Sequence, residues 1–365
     1  MSECLMAQRG GKYTRGRTIT DENMIENIKF GDKIWGPISP STIFGSNWLI
    51  NVKPISDGTD FYFGGTSVDG SRNKLVKISQ DDAHLIWVLE FASSGLTYSS
   101  FNGGQILALG RSATECLDTN GNLLWSNDGF TNWYPSCCFD ENGNAYVSGT
   151  KPYSDSFIFN KFDINGNLVW SKNISIDSSN NHATFVIYNN TLLILYSPPS
   201  PDEFRISQYD LDGNLINTNF INISNKYFQS IKCAISNSIL TIFLIDSING
   251  SDTELYAIDL NDKTVLYTIP MYSINSIYHN ANYLYLLNGQ LRRDNSEKFL
   301  YSKYYLNTGI IKNEVSTELT NGYVGDSSII NNFNKSLIIY YHYVSNRDYY
   351  EICLQNSKTT YTIIS

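Results

Sequence analysis

Charge is scarce in this chain: Lys, Arg, Asp and Glu make up 17% of its 365 residues. Histidine is scarcer still, with four. A net charge of −9 argues against nucleic acid as the main partner, because phosphate backbones are held by basic surfaces. No apolar run approaches the roughly 18 residues of a membrane-spanning helix, so no span is expected. The six cysteines (Cys4, Cys116, Cys137, Cys138, Cys233 and Cys353) include no C-x-x-C pair. A chain this long needs no disulfide staples, so they read as free buried thiols. His84, His182, His279 and His342 open no HExxH or HxH metal motif. There is no G-x-S-x-G elbow and no Walker loop. The acids cluster in turns, as at Asp81–Asp82 and Asp140–Glu141, where solvated residues belong. A glycosidase would need a facing carboxylate pair. The expectation is a non-enzyme with no catalytic residue, metal or cofactor to name.

Asn, Ser, Thr, Gly and Tyr fill the polar quota, and Tyr alone occurs 26 times. A repeat organises them. LDTNGNLLWSND at 117–128, FDINGNLVWSKN at 162–173 and YDLDGNLINTNF at 209–220 are variants of one sequence. Each has an apolar–Asp step, an Asn-Gly or Asp-Gly dipeptide, then apolar residues. Asn-Gly and Asp-Gly supply the positive φ of tight hairpin turns, and alternation on either side reads as strand. The landmark residues Asp118, Asp163, Asp210 and Asp259 are 45, 47 and 49 apart. Degenerate copies place Ser79, Tyr305 and Leu354 at the landmark, which makes seven. A further strand precedes each hairpin: 61–65, 106–110, 145–149, 191–197, 239–246, 283–289 and 336–343. Short apolar stretches such as 48–52, 273–280 and 328–332 lie upstream of those.

The unit is therefore four strands in about 46 residues, the signature of a β-propeller. A single sheet of this composition is apolar on both faces and cannot bury itself. Ranging such sheets around an axis buries both faces and limits exposed edges. The expected fold is all-β: a seven-bladed propeller of four-stranded antiparallel blades over residues 39–365, preceded by an extended N-terminal arm over 1–38. Both the first and last blades read as complete, so closure by simple packing is expected. Trp87, Trp125 and Trp170 fall at one repeated position after the turn, with Ile216, Leu266, Ile311 and Tyr361 there or one residue away. Large side chains at that position are expected to fill the space between blades. Asp163, Asn165 and Asn167 alternate oxygens as a calcium loop does, but the bidentate Glu that ends such a loop is absent. Turn chemistry accounts for them.

FDENGNAYVSG at 139–149 resembles the D-x-x-G-N-x-Y-V-x-G repeat of bacterial secreted propellers. Asp140, Gly143, Asn144, Tyr146, Val147 and Gly149 carry the match. DINGNLVWSKN resembles the hairpin of quinoprotein-like propellers. The resemblance implies a scaffold and leaves function open.

The arm does not belong to the repeat. Residues 1–17 carry Arg9, Lys12, Arg15 and Arg17 against Glu3 alone, a local +3, which leaves −12 for the remainder. The basic start has no apolar stretch after it and does not read as a Sec signal peptide. The arm cannot bury a core by itself, so it is expected to be held, by a partner protein or by the propeller itself. Cys4, Leu5, Met6, Ala7, Arg9, Gly10 and Gly11, with Gly31–Asp32 before the propeller, resemble the start of tail-fibre or baseplate proteins of phages and phage-like particles of Gram-positive bacteria. That resemblance implies an attachment arm, with Leu5, Arg9, Gly10, Gly11, Arg15 and Arg17 its candidate contacts to other tail or baseplate chains. It also implies multiple copies in a virion tail, and a propeller turned outward to host cell-wall carbohydrate or a surface protein. WYPS at 133–136, YSPPSPDEF at 196–204 and YYHYVSNRDYY at 340–350 are candidate binding loops, since Tyr and Asn contact sugars and proteins well. The alternatives are a secreted or surface propeller that binds carbohydrate or protein, and, behind it, a glycosidase or quinone-dependent enzyme.

Overall fold

Alternating apolar side chains and tight Asn- and Gly-rich turns build antiparallel meanders. In a computed structural model, residues 8–9, 12–13, 33–38, 43 and 48–50 are described. From 54 to 356 the description omits 68–71, 83, 92–97, 111–112, 129–132, 151–155, 176–182, 197–202, 223–227, 247–252, 272–273, 280–281, 292–296, 320–322, 325–327, 333–334 and 345–346. Among the described residues there are seven sheets of four or five strands, and one two-stranded hairpin, Gln8–Arg9 with Lys12–Tyr13. No described helix is long and apolar enough to cross a membrane.

Five sheets are simple meanders, here lettered A to D from first strand to last. The third, for example, runs Trp133–Phe139, Ala145–Thr150, Ser156–Phe162 and Leu168–Ser175. In the first sheet, strand A is split into Trp48–Ile50 and Ile55–Ser56, both paired with Asp60–Ser67. The A strands of successive sheets touch one another. Ile55–Ser56 meets both Tyr98–Asn102 of the second sheet and Ser328–Asn332 of the seventh, so the sheets form a closed ring. The chain is a β-propeller.

Each apolar cluster is shared between neighbouring sheets. Tyr146, Phe157 and Phe159 of the third sheet pack against Phe185, Leu192, Ile194 and Tyr196 of the fourth. Phe159 and Phe185 meet edge to face, 4.6 Å between ring centres. Leu193, Phe204 and Ile206 of the fourth sheet pack in turn on Leu240, Ile242 and Ile258 of the fifth. Burying each such side chain stabilises by about 1.5–3 kcal/mol.

The seventh sheet corrects the expectation of closure by simple packing. Its strands are Tyr323–Val324 and Ser328–Asn332, then Lys335–Val344 and Arg347–Asn356, and its fourth is Lys33–Ile38 from the N-terminal segment. The last six residues of the segment read as an arm are thus the outer strand of the ring. Register also moves the seventh landmark. Lys335 pairs with Asn356 as Thr191 pairs with Asp210, so Asn356 stands at the landmark rather than Leu354. The stretch TTYTIIS at 359–365, read from the sequence as the last strand of this sheet, lies outside the described residues.

Deletion of residues 1–30 should leave the thermal midpoint nearly unchanged. Deletion of 1–36 removes the ladder partner of Arg347–Asn356 and should lower the midpoint by more than about 5 °C, as followed by circular dichroism on heating.

Candidate functional site

The turns at one end of the ring share a built geometry. In D-x-x-G-N, the Asp carboxylate draws the chain back on itself. Asp163 Oδ1 accepts from the amides of Asn165 at 2.9 Å and Asn167 at 2.8 Å, and its Oδ2 accepts from Asn167 Nδ2 at 2.8 Å. The same three bonds recur at Asp118 and Asp210, between strands C and D, and at Asp140, between strands A and B. Asp259 keeps only part of it, accepting from the Asn261 amide at 2.8 Å. Hydrogen bonds from the Asn167 side chain and amide hold the Asp163 carboxyl below its ordinary range, and those from the Asn214 amide and side chain do so for Asp210. With both oxygens engaged by their own turn, these carboxylates explain the Asp–Asn spacing without an ion. Among the described residues no group of three His, Cys, Asp or Glu is gathered as metal ligands.

Four of the turns between strands C and D are also seats for the preceding sheet. A Cβ on Gly166, where φ is +82°, would lie 2.5 Å from the ring of Trp125 in the sheet before it. Gly121 approaches Leu89 and Trp87 in the same way, Gly213 approaches Lys172, and Gly309 approaches Tyr267. Trp87 Nε1 donates to Thr119 O at 3.1 Å, Trp170 Nε1 to Leu211 O at 3.3 Å, and the Tyr267 hydroxyl to Leu306 O at 2.7 Å. Trp125 Nε1 makes no such bond, and its ring stacks on Phe162 at 5.7 Å instead.

Two lysines, Lys161 buried and Lys77 partly so, add to two of these seats. Lys77 Nζ reaches Thr119 O at 3.3 Å and Asp60 at 3.1 Å; Lys161 Nζ reaches Leu211 O at 3.0 Å. Each ammonium lies over a tyrosine of the neighbouring strand, Tyr62 at 5.2 Å and Tyr146 at 5.5 Å. Those tyrosines donate to turn carboxylates, Tyr62 to Asp57 and Tyr146 to Asp140. Lys303 takes the corresponding place in the sixth sheet, over Tyr285. Burial, and then the Lys312 ammonium, lower its pKa to about 8.

The register corrects the repeated large-residue position. A one-residue bulge opens each D strand, so the equivalents of Trp87, Trp125 and Trp170 are Asn217, Tyr267, Asn313 and, in the seventh sheet, Trp35. Tyr361 lies outside the described residues. Ile216, Leu266 and Ile311 are exposed, not interblade filling. They belong to a pattern missed in the sequence. Leu85–Ile86, Leu123–Leu124, Leu168–Val169, Leu215–Ile216, Val265–Leu266 and Ile310–Ile311 all stand exposed at the start of an outer strand, with Leu123 and Leu215 each 58% exposed. The signal was the pair of aliphatics before each tryptophan, legible as L-I-W, L-L-W and L-V-W.

The meander gives the ring two unlike ends. The A–B and C–D connections, two to five residues long, share one end, here the turn end; the B–C and D–A connections share the other. Lys33 pairs with Gln355 at the turn end, and Ile38 pairs with Ile352 further along. The arm therefore joins the ring at the turn end. The candidate binding stretches all map to the opposite end. Trp133–Ser136 opens an A strand, with a register shift between those two residues. The 196–204 stretch spans the B–C connection of the fourth sheet, and 340–350 that of the seventh. Most of 340–350 is strand rather than loop, with Val344 paired to Arg347.

Of the candidate arm residues, Arg9 lies in the strand Gln8–Arg9, whereas Leu5, Gly10, Gly11, Arg15 and Arg17 lie outside the described residues. Cys116, Cys137, Cys138 and Cys233 are free thiols. Burial pushes Cys116 up to about 12, so its thiol stays protonated.

Alanine at Gly166 should cost roughly 2 kcal/mol or more, from the left-handed backbone and from Trp125 together. At Gly104, with φ +89° and open space around a Cβ, it should cost only about 1 kcal/mol. Urea unfolding measures both. The depressed turn carboxyls add stability that is present above their unfolded pKa, near 4, and lost as pH falls through the lower folded values. The thermal midpoint should therefore drop below about pH 4, and drop less in a chain carrying Asp118→Asn, Asp163→Asn and Asp210→Asn.

No protein-family model matches this chain, and no curated protein matches it in sequence. Solved structures do match in shape. Hydrazine synthase of Kuenenia stuttgartiensis aligns at TM-score 0.58 and 10% identity, over 82% of this chain and 94% of that one. The WD40 domain of Neurospora crassa Pan2 aligns at 0.57 and 10%, over 86% and 96%. A europium-containing methanol dehydrogenase aligns at 0.52 and 10%, over 90% and 87%. At such identities the likeness is one of fold, and it agrees with the ring of sheets described above: this chain shares the β-propeller architecture.

Proposed function

We propose that this chain is a non-enzymatic component of a phage or phage-like tail, a fibre or baseplate protein. Its N-terminal arm holds it to neighbouring chains, and its propeller faces outward to a host surface. One observation carries the reading: the arm joins the ring at the turn end, opposite the end to which 133–136, 196–204 and 340–350 map. A chain anchored through that arm presents those stretches away from its anchor. The composition of the arm supports the same division. It holds basic and apolar residues but too few of the latter to form a core, as a segment meant for another surface would.

The chemistry of the outward end suits weak, multivalent recognition of cell-wall glycan or a surface protein. Tyr is the commonest residue in the three stretches named, with seven of their 24 residues, and flat rings with polar tips fit sugar faces. Repetition over many copies in a particle would raise avidity without a deep pocket.

A chain lacking residues 1–30 retains the closing strand. It should fold and be absent from purified particles, as read by mass spectrometry of particles assembled with it. Full incorporation of that chain rejects the reading. Full-length protein should sediment with Gram-positive cell walls, and no sedimentation would remove the receptor-binding half.

A further inference from the structure

The A strands stand nearest the axis, where successive sheets touch, and they differ between the two ends of the ring. At the end opposite the tight turns, five of the seven begin with an aromatic residue: Trp48, Tyr98, Trp133, Phe228 and Tyr323. The other two begin with Ala183 and Ile274. Aromatics are 14% of the chain, so composition alone would give about one such start. At the turn end the same strands finish on two aromatics, Phe139 and Tyr188.

The ladder is irregular where those residues stand. In the third sheet Trp133 pairs with Thr150 and Ser136 with Ser148, so strand A carries one residue more than strand B over that interval. The fifth sheet repeats this between Phe228 and Ile231, and the sixth between Ile274 and Ser276. In the first and seventh sheets strand A is divided outright, Trp48–Ile50 from Ile55–Ser56 and Tyr323–Val324 from Ser328–Asn332. Extra residues of this kind re-aim side chains at the rims of closed sheets and beside binding sites.

These strand starts also carry no charge. The first three residues of each A strand, with the two of Tyr323–Val324, include no Asp, Glu, Lys, Arg or His. A chain that is 17% charged would place about three charges among them. The polar groups are hydroxyls and amides, as at Ser99, Ser100, Gln229, Ser230 and Asn275. A phosphate-bearing polymer would find no cation on these strand starts, and a basic peptide no acid. Flat rings among neutral donors and acceptors fit a ligand with apolar faces edged by hydroxyls.

We propose that the mouth of the ring opposite the turn end is a binding site for a neutral carbohydrate, at the place where the fold gathers Trp48, Tyr98, Trp133, Phe228 and Tyr323 at the starts of five inner strands. The mouth of a closed β structure is a recurrent place for such a ligand. In its biological setting the inference rests on the reading that this end faces the host, but the site itself needs no particle.

Soluble sugars test it on the full chain. The probes are neutral tetrasaccharides of glucose, galactose, rhamnose and N-acetylglucosamine, titrated by calorimetry. At least one should bind with a Kd below about 10 mM, and about 0.5 M salt should leave that binding unchanged. Trp48→Leu and Trp133→Leu keep an apolar side chain and lose the ring; each should weaken binding by about tenfold. Trp133→Phe should weaken it less, and Leu215→Ser, at the turn end, should change nothing. Hydroxyl-radical footprinting of the unmodified chain needs no substitution, so a misfolded variant leaves the test intact. Bound sugar should shield Trp48 and Trp133 and leave Leu123 and Leu215 open. No binding of any probe overturns the proposal, and so does shielding confined to the turn end or binding abolished by salt. A chain that binds sugar but is incorporated into particles without its arm keeps this site and loses the tail reading; one that needs its arm for particles and binds no sugar does the reverse.

Discussion

Everything in this fold depends on a contact between neighbours: a large side chain on one sheet's outer strand closes over the turn of the next. At Gly166 the approach is so near that no side chain fits beneath Trp125. The turn must therefore have a glycine, the glycine must take positive φ, and the Asp-Asn hydrogen bonds must hold it there. Sheets with two apolar faces supply the drive to associate, worth a few kcal/mol per buried side chain. The seats supply the register, because a sheet shifted along its neighbour would put a ring against a strand rather than a turn.

The polar parts of the seats divide the labour differently from sheet to sheet. In the third sheet, Tyr146, Lys161 and Trp170 on three adjoining strands converge on Leu211 O of the next turn; in the first, Lys77 and Trp87 converge on Thr119 O while Tyr62 donates to Asp57. In the second, Leu107, Cys116 and Trp125 occupy the same register, and the seat is apolar. Paired cations and carbonyls in a half-buried site must be matched nearly completely to be worth their desolvation. An aliphatic seat has no such requirement, which is why both solutions coexist around one ring.

Much of the fold was legible, because hairpin turns have a chemical code and sheets a period. The second strand of every sheet was read within two residues of its observed bounds, from Asp60–Ser67 to Lys335–Val344. The closing strand was missed although its code was present: Lys33-Ile34-Trp35 repeats the pattern of Leu85-Ile86-Trp87. It was hidden because it lies at the far end of the chain from its partner, and sequence adjacency is what a repeat search follows. The exposed aliphatic pairs were misread for a subtler reason. Strict alternation predicts one inward and one outward residue, but the bulge adds a residue and lets both point outward. The candidate binding end was less legible. Nothing in composition says which end of a ring a given loop occupies; that follows only from strand order.

The borrowed outer strand has a consequence for biosynthesis. Lys33–Ile38 leaves the ribosome long before Arg347–Asn356, the strand it pairs with. Six sheets can form in order as the nascent chain lengthens, each templating on the one before. The seventh has an open edge until Lys33–Ile38 is brought back to it. Ring closure is therefore the most non-local step and, by loop-closure entropy, the slowest to find. Until it happens an unpaired strand edge is presented to every other half-made copy nearby, which makes crowding during translation the moment of greatest hazard for this protein.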